Sequence, residues 1–409
     1  MPKDRLLVGL EIGTFKVCAV VGEARADGSL RILGVGESKS VGIRKGEIVD
    51  FNSAIQCVRD AIADAEEKAD VEIESVWAAV TGAHIRSFNN RGITTIPEDR
   101  GEIDAEDIRD VEASAKEVNI PDQNWFIHTI TQHYYVDNQE GVVSPIGMVG
   151  HKLEADFHIV HGVKTRIQNT LRCIKEAGVE VEEIVINSVA SAQVVLDQNQ
   201  KDLGAIVLDI GGGATDYLVY LDGAIQHSGV LAIGGDHITN DISIGLRIPI
   251  ARAERLKIEE GCANPDAAQP GDTIILKNDS GFSGCEIERA NLNRIIYARV
   301  RELFELVKKD IAAHCDIDLV RAGVMLTGGC CRLRGLIEVA EEVFDQPVHS
   351  VAAQEVTGPT SVFQNPQYAT AIGVVKYAQL MQQVEEEPSS LLGSVGRKLG
   401  SLFRRRANA

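Results

Sequence analysis

Asp209 to Asp216 reads DIGGGATD, three consecutive glycines framed by two carboxylates. Glycines in such a run let backbone approach a ligand with no side chain in the way. The residues that follow decide what kind of site this is. In a P-loop or a dinucleotide fold the glycines open a helix. Here residues 217–221 and 224–233 are strand-like, with Asp222-Gly223 between them as a hairpin turn. The glycines therefore sit in a β-hairpin, which argues for a phosphate-clamping hairpin and against a dinucleotide turn.

A clamp needs a second side. Strand-like residues 6–10 end in Glu11-Ile12-Gly13-Thr14, so acid-Ile-Gly at 11–13 recurs at 209–211. Each copy is followed by a strand, an Asp-Gly turn (27–28 in the first) and another strand. The repetition reads as an internal duplication, two β-β-β-α halves facing each other. A third glycine turn, Gly328-Gly329, follows the apolar run 324–326. Any one glycine turn is more often only a turn; three in this order and strand context say more.

On these segments the chain resembles the actin, Hsp70 and sugar-kinase superfamily, and within it the bacterial cell-division FtsA family. GLEIGTFKV (9–17), LDIGGGATD (208–216), GGDHITNDI (234–242), AERLKIEEG (253–261), GVMLTGGCCRLRGL (323–336) and YATAIGVVKYA (368–378) carry the likeness, together with a basic tail. The resemblance implies an α/β fold: a duplicated actin-like (ribonuclease H-like) ATPase fold with two inserted subdomains. Residues 1–82 and 161–200, with a C-terminal helix at 366–380, would form subdomain 1A, and 83–160 an inserted α+β subdomain 1C. Residues 201–236 and 314–365 would form 2A, and 237–313 would form 2B. A linker is expected at 381–389 and an amphipathic helix at 390–406.

The implied ligands are ATP and Mg²⁺, a hard cation that keeps several waters and takes few protein oxygens. Glu11 and Asp209, each at the end of a strand, are the expected metal ligands. Gly13, Thr14, Lys16, Gly211, Gly212, Gly213 and Thr215 are candidates for the phosphates. The helix starting at Gly234-Gly235 should offer free N–H groups. By resemblance Glu254 and Lys257 meet the ribose and adenine, with Gly328 and Gly329 under the adenosine. Without the family, Glu254 and Lys257 read equally as a solvent-facing pair, and Lys16 as a strand-edge lysine. Two departures bear on turnover. Ala214 stands where the family has a hydroxyl residue, and Asn187 stands where actin-like enzymes carry a Gln or Glu that orients water. Asp209 and Asn187 remain the candidates for catalysis, and the expectation is ATP binding with slow or absent hydrolysis.

Composition sets outer limits. The 409 residues are 44% hydrophobic and 25% charged, enough for two or more packed domains. Eight scattered cysteines show no CxxC spacing, and reduced thiols are the plain reading. Of the net charge of −19, the segment from Pro388 onward contributes +5 and the body therefore −24. An acidic body disfavours nucleic acid. The tail differs: Leu391, Leu392, Val395, Leu399, Leu402 and Phe403 share an arc of about 120° on a helical wheel. Arg397, Lys398 and Arg404 lie off that arc, with Arg405 next in the chain, as in a basic amphipathic helix that lies on an anionic membrane surface.

The resemblance further implies filaments on the cytoplasmic side of the bacterial inner membrane at the division septum. The C-terminal tail of the tubulin-like protein FtsZ would dock on 2B, and other division proteins on 1C. Two alternatives stand beside this reading. A PilM-like pilus-assembly protein would share the body but usually lacks the tail, and a metabolic kinase of the sugar-kinase branch would need a catalytic Asp in a substrate cleft.

Overall fold

The computed structural model describes residues 5–25, 27–278 and 284–386. Two five-stranded arrangements built on one plan dominate it. In the first, Leu30–Lys39, Lys16–Ala24, Arg5–Ile12, Ser75–Val80 and Glu180–Ile186 lie side by side in that order, with Val356–Thr357 added beyond Leu30–Lys39. In the second the order is Ala224–Leu231, Thr215–Leu221, Ala205–Ile210, Val324–Thr327, Val348–Ser350. The central strand of each pairs antiparallel with its hairpin partner and parallel with the strand on its other side. The internal repeat in the sequence is thus a repeat of topology. The central strands are buried on both faces and read as apolar runs, as sheets covered on both sides require.

Local chemistry explains the connections. Asp222 and Gly223 both take positive φ, 51° and 73°, the turn that suits the twist of a two-residue hairpin. Helix Lys164–Ala177 stops where Gly178 turns left-handed at φ 108°. Helix Phe51–Ala69 packs on the first sheet through Ala54, Val58, Ala61 and Ala65. Its cap is Asp50, whose carboxylate accepts from the Ser53 N–H.

The first insertion is a four-stranded antiparallel sheet ordered Arg86–Thr95, Lys152–Val163, Asn124–Val136, Gln139–Val142. Helix Ala105–Ala115 packs on it, closed at its start by an Asp104–Asp107 capping box. The turn at Asp137-Asn138, φ 47° and 69°, returns the chain so that Gln139–Val142 pairs with Asn124–Val136. The second insertion contains helices Gly235–Leu246, Ile250–Glu260 and Arg289–Ala312 and the strand pair Thr273–Leu276 with Cys285–Glu288.

Two segments differ from expectation. A short helix, Gln198–Leu203, precedes the second hairpin, started by the Asp197–Gln200 capping box. The last helix runs from Ala369 to Glu386, so the first six residues of the expected linker are helical. Met381 is buried there, which extends the packed part of the helix into the segment that reads as spacer. The amphipathic segment 390–406 lies outside the described residues.

Candidate functional site

The two hairpin corners meet across a cleft of about 370 Å³. They are built alike. The Gly13 N–H donates to the Lys16 carbonyl at 3.0 Å, and the Gly211 N–H to the Ala214 carbonyl at 2.9 Å. The tips are therefore Thr14-Phe15 and Gly212-Gly213. They approach so closely that a Cβ on Gly213 would fall 2.4 Å from Thr14 Oγ1 and 2.8 Å from the Lys45 nitrogen. Thr14 Oγ1 itself accepts from the Gly46 N–H at 2.9 Å, tying the first tip to the loop behind it.

Behind the tips lie three buried carboxylates. Glu11 ends the first central strand and Asp209 the second; Asp216 faces Asp209 across the hairpin. Glu11 Oε2 is buried with no hydrogen-bond partner. Burial, reinforced by the neighbouring Asp209 charge, pushes the Glu11 carboxyl up to about 8. Burial raises Asp209 to about 6, against a hydrogen bond from the Thr370 hydroxyl that lowers it. Asp216 is raised well above the usual range by burial and by Asp209, although the Thr81 hydroxyl donates to it at 2.7 Å. Asn187 opens helix Asn187–Val195 and lines the same cleft, its Oδ1 also without a partner.

Unpaired buried acids are costly, and a divalent cation would lower that cost. The donors are all oxygens, the set that suits a hard ion such as Mg²⁺. The cleft lining thus fits the expected metal at Glu11 and Asp209. Asp216, Thr81 and Thr370 join them although sequence reading did not assign them.

The remaining expected residues divide. Gly13, Thr14, Gly211, Gly212 and Gly213 line the cleft, as do Glu254, Lys257, Gly328 and Gly329. Lys257 forms an ion pair with Glu254 at 2.7 Å and donates to the Gly235 carbonyl and to Thr239 Oγ1. The pair is a fixed part of the wall and does not face solvent freely. Gly328, at φ 88°, could carry no side chain: a Cβ would stand 2.4 Å from Asp209 Oδ1. Lys16 lines the cleft, but its ammonium pairs with Glu37 and sits 3.6 Å over the Tyr368 ring.

Three expectations need correction. Thr215 is fully buried, and its hydroxyl donates to the Ile233 carbonyl at 2.8 Å; it does not line the cleft. Adjacent strand residues face opposite ways, and Asp216 holds the inward position. Gly234 does not line the cleft either; it packs against the Gly211 and Gly212 carbonyls. The N–H groups of Gly235 and Asp236 are not free, since they donate to those carbonyls at 3.0 and 2.7 Å and staple the helix start to the second tip.

Known proteins match this chain over nearly all its length. It is 40% identical to cell division protein FtsA of Pseudomonas aeruginosa over 95% of this chain and 93% of that one. Against FtsA of Escherichia coli strain K12 the identity is 34% over 98% of each. The family model for cell division protein FtsA matches residues 206–373, and the model for the SHS2 domain inserted in FtsA matches 82–161. Among solved structures, a PilM–PilN type IV pilus biogenesis complex aligns with TM-score 0.63 at 14% identity, covering 90% of this chain and 97% of that one. MreB5 of Spiroplasma citri bound to ADP aligns with TM-score 0.56 at 14% identity, covering 95% and 100%. At that identity the structures establish the fold, which is actin-like. Two repeated halves around a cleft, an SHS2 insertion in the first half and sequence identity along the whole chain agree: this protein belongs to the FtsA family of cell-division proteins.

Proposed function

We propose that the cleft binds ATP with Mg²⁺ and that the chain forms filaments under the cytoplasmic membrane, tethering FtsZ there and recruiting other division proteins. The observation that carries the nucleotide reading is the buried, partnerless Glu11 Oε2 beside Asp209, set between two glycine tips. Backbone N–H groups at the tips would meet the phosphates, and Glu11 and Asp209, with Asp216 behind, would hold the cation. Bound Mg²⁺ would neutralise charge on the phosphate oxygens. The Glu254–Lys257 pair and Gly328-Gly329 line the part of the cleft left for the nucleoside. In support, solved MreB5 structures with this fold carry ADP and AMPPNP.

Turnover is slow in this reading. Asn187 reaches the cleft but is a shorter amide than the Gln of actin-like enzymes, and holds attacking water poorly. Phosphate release with Mg²⁺ and lipid tests this; rapid multi-turnover release would refute it.

The membrane contact rests on the basic amphipathic segment 390–406. Among the described residues no helix is long and apolar enough to cross a membrane. One short helix binds weakly and reversibly, and a filament multiplies it through effective concentration. Leu399→Asp with Phe403→Asp should release the protein from anionic vesicles, and unchanged co-sedimentation would sink the anchor. FtsZ tail docking belongs to the second insertion near helix Arg289–Ala312, and later division proteins to the first. FtsZ-tail peptide binding, mapped by substitutions on that helix, tests the former. Whole-length identity to FtsA proteins favours this reading over a pilus-assembly role.

A further inference from the structure

Away from the cleft, the edge strand Ala224–Leu231 meets the end of helix Arg289–Ala312 through three side chains with metal-ligand chemistry. His227, Asp310 and His314 each offer one ligand atom, and these atoms lie within 4.8 Å of one another. His227 Nε2 is 2.8 Å from Asp310 Oδ2. The two imidazoles stack, with centroids 3.9 Å apart and planes 6° from parallel. None of the three lines the nucleotide cleft.

We propose that this trio is a transition-metal site of the zinc class, one that pins the end of the long helix to the second sheet. Two imidazoles and a carboxylate suit Zn²⁺ and its neighbours, and suit Mg²⁺ poorly, so the site is chemically distinct from the oxygen-lined cleft. The surroundings prepare each ligand. His314 Nδ1 lies 2.8 Å from the Asp310 carbonyl, which places its proton there and leaves Nε2 as the free lone pair. The Tyr217 hydroxyl donates to Asp310 Oδ2 at 2.5 Å and fixes the carboxylate from the sheet side. His227 is buried, whereas His314 is exposed just past the helix end.

Binding asks for two local changes. The face-to-face rings must turn so that both lone pairs meet one point, and the exposed His314 can supply that rotation. The proton that His227 Nε2 shares with Asp310 moves to Nδ1, so the imidazole coordinates in its neutral form and no net charge is created on the ring. A solvent molecule completes four-coordination. The physical consequence is a coordinate cross-link between the second half and the second insertion, added to the apolar core, hydrogen bonds and ring stacking that join them.

The test is a Zn²⁺ titration of the full chain against a chromophoric chelator, with millimolar Mg²⁺ and ADP present to occupy the cleft. Wild type should take up one more Zn²⁺ per chain than His314→Ala, a variant at an exposed position whose fold is checked by its melting temperature. His227→Gln should lose the same equivalent. Tyr217→Phe, which removes only the positioning hydroxyl, should weaken binding by about 10-fold. Isotherms that superimpose for wild type and His314→Ala overturn the proposal, whether both bind through thiols or neither binds. Loss in His314→Ala with retention in His227→Gln would overturn it too.

Discussion

The two halves of this molecule meet at the cleft and again where the first insertion touches the edge strand Ala224–Leu231, and both places bury ionisable groups. In the cleft, Glu11 and Asp209 are raised to about 8 and about 6, and Glu11 Oε2 has no partner. At the other contact His158 is wholly buried, yet both ring nitrogens are engaged, Nδ1 with Asn89 Oδ1 at 2.7 Å and Nε2 with Ser228 Oγ at 2.8 Å. Around it Ser87 Oγ donates to the Ser228 carbonyl, Asn89 to the Gln226 carbonyl, and the Ile225 N–H to Gln132 Oε1. The difference separates a binding site from a fastening. Buried polar groups with partners hold two bodies together, and a buried acid with an oxygen left unpartnered stores a demand that a ligand can meet.

The largest effect should come from Gly328→Ala. Its Cβ would drive into Asp209 and the Ile210 backbone at a left-handed φ. Strain of this kind costs about 1–3 kcal/mol before the cleft is even occupied. Nucleotide binding followed by calorimetry should fall below detection, with a lowered melting temperature. Intact affinity would mean that the third turn does not shape the site.

Next in size is His158→Ala, which leaves Asn89 and Ser228 without their shared partner and should cost about 2–3 kcal/mol in urea unfolding. Glu11→Gln sharpens the contrast because its two readouts move oppositely. Removing a buried unpaired acid should raise the melting temperature of the nucleotide-free protein. The same change should weaken Mg²⁺-dependent nucleotide binding by about 10- to 100-fold, the worth of one charge-assisted contact. Both readouts falling together would assign Glu11 to structure alone.

The last comparison is a pH dependence, spread over several pH units. Burial depresses His158 to about 3, and His128, buried likewise, to about 3. Below the unfolded value near 6.5 the unfolded chain binds protons that the folded chain refuses, so stability falls as pH drops from 6.5 towards 3. Each histidine contributes up to about 1.4 kcal/mol per pH unit in that window. Replacing His158 by Gln should reduce the slope, measured as unfolding free energy against pH, and an unchanged slope would place the acid sensitivity elsewhere.

How much of this was legible beforehand follows distance along the chain. The hairpins and the Asp222-Gly223 turn are written in local signals and fall where the residues say. Asp216 was also within reach. Once the two-residue corner is placed at Gly212-Gly213, strand register puts Asp216 opposite Asp209 and turns Thr215 away. Thr81 and Thr370 were not, because they reach the acids from other elements and no spacing in the sequence announces it. Lys16 reads as a phosphate ligand from its place after the first tip, but Glu37 and Tyr368 come from a neighbouring strand and a distant turn. The helix beginning at Gly235 shows the same limit: its N–H groups look free in sequence and are spent on the carbonyls of the second tip.

The central claim is that the buried acids behind the glycine tips, with Glu11 Oε2 unpartnered, are a nucleotide–metal site. A crystal structure of the full chain with a non-hydrolysable ATP analogue and Mg²⁺ tests it most directly. The account predicts phosphates between Gly13-Thr14 and Gly211–Gly213, and a cation held on the side of Glu11 and Asp209. An empty cleft at saturating nucleotide, or a nucleotide bound elsewhere with Glu11 still unpartnered, would contradict it.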